Sequence, residues 1–211
     1  MKRELVVASD PAAAAAARFL QLRPATITLA GGSTPAPLYR YLARCTYPWS
    51  DTHVFFGDER CVPRDDPASN FAMANETLLA HVPARVHPMP GETCSAEAYE
   101  AELRQQFGDG IPAFDLVILG LGSDGHTASL FPGDAALQER ARLVVAVDRP
   151  DHARLTLTLP VLSAAAHAFF LVTGGEKRDA LAQLLDGGDI PAARVASARV
   201  TVFADEAAAK R

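Results

Sequence analysis

Short apolar or β-branched runs recur along the chain with amphipathic stretches between them, and this alternation predicts the elements. The runs Ala25 to Ala30, His53 to Gly57, Leu116 to Leu119 and Ala168 to Val172 have the length and composition of buried strands, and Leu5 to Ala8, Leu143 to Val147 and Val200 to Phe203 read as further strands. Arg154 to Leu159 alternates like a half-exposed strand, and Pro160 stops it. Between the runs, Asp10 caps a helix that Pro11 begins and an alanine run carries through Leu22. Thr34 is placed to cap a helix opening at Pro35, whose apolar face is Leu38, Tyr39 and Leu42. Ser69 opens a helix through Ala80, and Ser95 opens one through Phe107, with Ala84 to Pro90 as a short connection. A last long helix runs past Lys177 to Leu185, and the tail Asp205 to Arg211 frays or finishes a helix. Strands at regular intervals with intervening helices predict one three-layer α/β domain over residues 1–211, with a mostly parallel sheet flanked by helices.

Composition narrows the partners. A chain of 211 residues that is 49% hydrophobic can bury a substantial core without a second domain. Its net charge of −5 and lack of any Lys/Arg run argue against nucleic acid or an anionic membrane as the main partner. An anionic ligand would need a local cluster of cations. Cys45, Cys61 and Cys94 are odd in number and widely spaced, without a C-x-x-C pair or paired histidines, so reduced thiols are expected and neither a disulfide framework nor a structural zinc site is. Asp10, Pro11 and Arg18 interrupt any apolar leader, and nothing later approaches a spanning length; a cytoplasmic protein is expected. The pattern sets no oligomeric state.

The chemistry lies where the strands end. Gly31-Gly32-Ser33-Thr34-Pro35 joins a strand to a helix start, an arrangement that offers free N–H groups and a positive dipole end to an anion, without the G-K-[ST] of a P-loop. Asp58, Glu59 and Arg60 follow the third strand. They are either salt-bridged loop residues or a guanidinium fork offered to a phosphate or oxyanion. Lys177 in a helix's first turn opposes the dipole unless an anion sits between them. In a parallel sheet these turns share the carboxyl edge with a fourth, Gly120 to His126.

That fourth loop, within DLVILGLGSDGHTASLFPG, carries the densest set of unusual residues. Gly120, Gly122 and Gly125 fit G-x-G-x-x-G, with Asp148 where a ribose-binding acid would lie. The Pro132-Gly133 break, however, leaves only a short helical turn to Phe131, too little for a dinucleotide fold. A lone histidine in such a turn could be merely hydrogen-bonded. Three glycines with Asp124 and His126 between and beside them favour a catalytic histidine held by its neighbour.

LAGGSTPAPLY, FFGDERCVPRDDPASN, DLVILGLGSDGHTASLFPG, RLTLTLP and VTGGEK, in this order and spacing, resemble the 6-phosphogluconolactonase family from about Ala30 to Lys177. The resemblance implies the fold shared with glucosamine-6-phosphate deaminase and ribose-5-phosphate isomerase, and no metal or organic cofactor. It further implies hydrolysis of 6-phospho-D-glucono-1,5-lactone to 6-phosphogluconate, the second step of the oxidative pentose phosphate pathway. With a phosphorylated sugar lactone as substrate, the expected catalytic set is His126 as base, Asp124 as its orienting carboxylate and Arg60 at the oxyanion. The expected substrate- and phosphate-binding set is Gly32, Ser33, Thr34, Asp58, Arg154 and Lys177.

The deaminase branch resembles the chain at GGSTP, the G-D-E turn and D-G-H. It carries a glutamate after the histidine where spacing puts Phe131 here, and usually a tyrosine at Arg60; Asp58 is kept and could serve an isomerase-like proton transfer. A sugar-phosphate sensor on this fold would need a DNA-binding segment, for which the first 25 residues leave no room.

Overall fold

The computed structural model describes residues 3–210. Seven strands form one parallel sheet: β1 (Arg3–Val7), β2 (Thr26–Leu29), β3 (His53–Phe56), β5 (Arg85–Val86), β6 (Leu116–Gly120), β9 (His167–Val172) and β10 (Arg199–Ala204), in the order β1-β10-β9-β6-β2-β3-β5. Three more, β4 (Asp58–Arg60), β7 (Val144–Val147) and β8 (Arg154–Leu157), make a small antiparallel sheet ordered β4-β8-β7. The helices are α1 (Pro11–Leu22), α2 (Ala36–Ala43), α3 (Asn70–Thr77), α4 (Ala96–Phe107), α5 (Leu159–Ala164), α6 (Arg178–Asp186) and α7 (Glu206–Ala209). Helices α1, α2 and α3 pack in succession, and the core between sheet and helices is built on Phe19, Ile27, Phe55, Phe114, Phe169 and Phe203. Among the described residues, no helix is long and apolar enough to cross a membrane.

The strand order positions the site. From β2 the chain builds outward through β3 and β5, then returns to place β6 on the other side of β2 and builds outward through β9 and β10. The reversal lies between β2 and β6, where open α/β sheets bind ligands beyond the carboxyl ends of the strands. The ladder itself divides there. β6 stays paired with β9 through Gly120↔Leu171, whereas its pairing with β2 stops at Thr28↔Val117. At the opposite end the two strands are tied by the Asp115 carboxylate, which accepts from the Ala25 and Thr26 N–H groups and the Thr26 hydroxyl at 2.9–3.0 Å. Fixed below and parted above, β2 and β6 leave a crevice at their carboxyl ends.

Several expectations are corrected. Asp58 to Arg60 is a strand paired with β8, which forms only because a partner arrives from far along the chain. The Thr34 hydroxyl does not cap α2; as N-cap it would reach toward Pro37, which has no N–H. No helical turn follows His126. Thr127 and Leu130 instead form a tight turn with Ala128 at φ 47°, which an α-helix does not accommodate. Pro160 opens α5 as well as ending β8, whose Leu155, Thr156 and Leu157 are buried, not half-exposed. The connection at 84–90 contains β5, paired with β3. Helix α3 ends at Thr77, and Lys177 precedes α6 as its N-cap. The tail forms α7, while Arg211 lies outside the described residues.

The cysteines are also corrected. Cys61 and Cys94 form a disulfide with Cα atoms 5.1 Å apart, and Cys45 is free. Spacing could not reveal the pair because the packing of the Gly91 loop on the end of β4 makes it: a Cβ on Gly91 would stand 2.6 Å from the Arg60 carbonyl oxygen and 2.9 Å from that of Val62. Thiol titration of the denatured, unreduced protein is therefore expected to find one thiol per chain, and three after reduction. With 33 residues separating the pair, Cys94→Ser should cost about 3–4 kcal/mol by chain entropy in denaturant melts under oxidising conditions, and nothing comparable against a reduced reference.

Candidate active site

Four strand ends supply the site. From β2 the chain enters Gly31 to Pro35, where Gly32 takes φ +88°, and a Cβ on Gly31 would overlap the Asn70 amide. The buried Tyr39 of α2 holds this exit: its hydroxyl donates to the Ala30 carbonyl and accepts from the Ala30 N–H, both at 2.8 Å. Burial pushes the phenol pKa up, so the hydroxyl stays protonated. Ser33 and Thr34 have hydroxyls without protein hydrogen-bond partners among the described residues, free for a ligand.

After β3, Gly57 passes the chain to β4. The Asp58 carboxylate is buried and accepts from the Ser129 hydroxyl at 2.7 Å and the Asn70 amide at 3.1 Å. Glu59, on the other face of this short strand, is 2% exposed; its oxygens accept from the Asn70 and Phe71 N–H groups at 2.6 and 2.7 Å, and so anchor the start of α3. Burial raises its pKa, against the pull of those hydrogen bonds. Arg60 donates through Nη1 to the Ala68 carbonyl at 2.9 Å and to Asn70 Oδ1 at 2.7 Å.

The loop after β6 holds the imidazole. Gly122 donates to the His126 carbonyl at 2.9 Å, Gly125 donates to the Gly122 carbonyl at 3.0 Å, and Thr127 hydroxyl returns to the Gly120 carbonyl at 2.9 Å. Gly125, at φ +85°, lies against Ile190 with no room for a side chain. Asp124 Oδ1 accepts the His126 N–H at 3.1 Å and lies 2.6 Å from its Nδ1. Burial raises the Asp124 pKa, but the backbone and ring hydrogen bonds of His126 outweigh it and hold the carboxyl below its usual value. An ionised carboxylate only accepts, so Nδ1 donates to it, and in the neutral tautomer the lone pair is on Nε2. The Phe131 ring packs on the imidazole with centroids 4.4 Å apart, and Arg149 stacks 3.9 Å over the Phe131 ring.

Two further cations arrive from β8 and from the turn after β9. Arg154 stands directly opposite Arg60 across the antiparallel pair, an arrangement that costs stability unless an anion lies between. Its terminal nitrogen pairs with Asp151 at 2.5 Å, while its Nε is buried without a partner. Lys177 has no ion pair among the described residues and lines the same cleft as Ser33 and Thr34.

These groups converge on one cleft of about 250 Å³. His126, Arg60, Gly32, Ser33, Thr34, Asp58, Arg154 and Lys177 all line it; Asp124, expected beside the base, lies behind the ring as its hydrogen-bond partner. The sequence pattern marks neither Asn70 nor Ser129 as a site residue, yet both hold Asp58, and Asn70 lines the cleft. The available signal was two polar residues in segments otherwise destined for burial. Among the described residues, no group of three or more His, Cys, Asp or Glu gathers as metal ligands.

A parallel sheet with a strand reversal, a histidine–aspartate pair and a cation-rich crevice at that reversal define an α/β fold with a cleft suited to an anionic ligand. Residues 4–204 match the family model described as glucosamine-6-phosphate isomerases/6-phosphogluconolactonase, and the chain belongs to that family. A 6-phosphogluconolactonase of Synechocystis is 46% identical over 169 residues, 75% of this chain and 70% of that protein. The crystal structure of 6-phosphogluconolactonase from Thermotoga maritima superposes with a TM-score of 0.88 at 31% identity, covering 97% of this chain and all of the other. A monomeric glucosamine-6-phosphate deaminase, at 24% identity and a TM-score of 0.83 over 99% of each chain, shares the fold.

The loop makes its own prediction. A Cβ on Gly122 would overlap His126 Nδ1 and crowd Asp124, so Gly122→Ala is expected to displace the ring and lower kcat/KM by roughly 100-fold, while circular dichroism shows the fold retained.

Proposed function

We propose that this chain hydrolyses 6-phospho-D-glucono-1,5-lactone to 6-phosphogluconate, the second step of the oxidative pentose phosphate pathway, with His126 as the base that activates water. That it is a lactone-hydrolysing enzyme follows from the curated relatives and solved structures bearing the name 6-phosphogluconolactonase. The observation that carries the mechanism is the Asp124–His126 pair in the same cleft as Arg60, Arg154 and Lys177.

In this reading His126 Nε2 takes a proton from water as the oxygen attacks the lactone carbonyl carbon, and the carbonyl π electrons move to oxygen. Asp124, held ionised, orients the ring and stabilises the imidazolium. Arg60 faces the developing oxyanion. The tetrahedral intermediate then collapses, the bond to the ring oxygen breaks, and the imidazolium returns its proton to that oxygen, leaving a carboxylic acid and a free hydroxyl. Ser33, Thr34, Gly32, Arg154 and Lys177 hold the phosphate, whose charge relieves the opposition of Arg154 to Arg60. Asp58, fixed by Ser129 and Asn70, lies on the wall as a hydrogen-bond acceptor for substrate hydroxyls.

The deaminase reading has one observation in its favour, the Asp58 carboxylate in the cleft. Against it, the residue packed on the histidine is Phe131, which cannot exchange protons. A coupled assay of fresh lactone, corrected for spontaneous opening and run beside glucosamine 6-phosphate, decides between them: turnover of the amino sugar and not of the lactone would reverse the assignment.

His126→Ala should lower kcat/KM by about 10²–10⁴-fold. Arg60→Ala should lower kcat by roughly 10²–10³-fold, whereas Lys177→Ala should chiefly raise KM; the opposite split would exchange their roles. Because the Asp124 pKa is held low, the carboxylate is ionised at neutral pH. Asp124→Asn removes the ionised partner that orients the ring, so kcat/KM at neutral pH should fall by roughly 10²–10⁴-fold; an unchanged kcat/KM would contradict the pairing.

A further inference from the structure

Asp58 and Arg60 stand two residues apart on β4 and therefore point to the same face of the strand. A carboxylate and a guanidinium so placed would ordinarily pair, yet no ion pair joins them among the described residues. The side chain of Asn70 lies between. Its Nδ2 donates to the Asp58 carboxylate at 3.1 Å and to the Asp58 carbonyl at 2.8 Å, while its Oδ1 accepts from Arg60 Nη1 at 2.7 Å. Only this orientation of the amide works, since a carboxylate cannot donate to it and a guanidinium cannot accept from it.

We infer that Asn70 is a positioning residue that keeps Arg60 from pairing with Asp58 and aims its unpaired charge at the anionic substrate. The inference rests on the lactonase reading and adds a residue to it. The amide has little freedom to do anything else. Asn70 is 2% exposed, its N–H is held by Glu59, and Gly31 presses on its side chain so closely that no larger residue fits at 31. Arg60 spends Nη1 on Asn70 and on the Ala68 carbonyl, leaving Nε and Nη2 for a ligand in the cleft. Replacing the amide by a carboxylate would neutralise the guanidinium within nearly the same volume. Removing it would let Asp58 do so.

The test is a double-mutant cycle between Asn70→Ala and Arg60→Ala, with Asn70→Asp as the near-isosteric control and Asn70→Ser carrying the cycle should Asn70→Ala fail to fold. Lactone hydrolysis gives kcat and KM, and calorimetric titration with 6-phosphogluconate gives affinity without turnover. Asn70→Ala is expected to lower kcat/KM at least tenfold, with the same division between kcat and KM as Arg60→Ala, and in the Arg60→Ala background to add less than about threefold. Asn70→Asp is expected to fall about as far as Arg60→Ala. Losses that multiply in the double variant, or an Asn70→Asp enzyme within twofold of the parent, would overturn the inference by showing a role in packing alone. If the parent opens no lactone but binds 6-phosphogluconate, the reaction assignment fails, and the cycle measured on affinity still decides the role of Asn70. A parent that does neither overturns both.

Discussion

The site depends on where β2 and β6 stop being paired. Hydrogen bonding between adjacent strands closes a sheet, and a cleft at its edge requires two neighbours to part at a defined height. Here Asp115 fixes the lower ends by three hydrogen bonds, the ladder ends at Thr28↔Val117, and the next residues of each strand feed a glycine-containing turn. The strand reversal makes that parting sterically natural, because the connections leaving β2 and β6 run to opposite sides of the crevice. The chemistry then depends on what the elements around the crevice carry.

What they carry is positive charge in a chain of net charge −5. Concentrating Arg60, Arg154 and Lys177 at one opening is unfavourable in the unliganded protein, most plainly where Arg60 and Arg154 face each other across β4 and β8. The nearby carboxylates are occupied with other partners: Glu59 is committed to the start of α3, Asp58 to Ser129 and Asn70, and Asp124 to His126. Among the described residues only Asp151 pairs with one of the three cations, and it does so from the exposed side. The pocket thus keeps an electrostatic deficit that a dianionic phosphate group is suited to fill.

Much of this was legible in the sequence, and the failures share a cause. The parallel strands, the capped α1, α3 and α4, and the meeting of the turns after β2, β6 and β9 follow from apolar runs, Asp10, Ser69 and Ser95, all of which act locally. The misread segments depend on distant partners. β4 is three residues that become a strand only through β8; Cys61 meets Cys94 only because the Gly91 loop packs on β4; the segment after His126 gives up a helix because Thr127 and Ser129 bond sideways to Gly120 and Asp58. Asn70 follows the Ser69 cap that the sequence offers, but its two side-chain partners on β4 belong to tertiary structure that no local pattern encodes.

Asp124 and Glu59 both have displaced pKa values and act on the fold in opposite senses. Asp124 is held below the ordinary aspartate value, so its contribution to folding is present above that value and is lost as pH falls through the depressed one. Glu59 is raised, chiefly by burial, so its ionisation works against the fold: its contribution is complete below the ordinary glutamate value and is lost as pH rises through the raised one. The N–H groups of Asn70 and Phe71 offset that cost by giving the charged form donors at the helix start. A buried carboxylate is retained there because the alternative, an unsatisfied helix terminus beneath Asn70, would loosen the residue that separates Arg60 from Asp58.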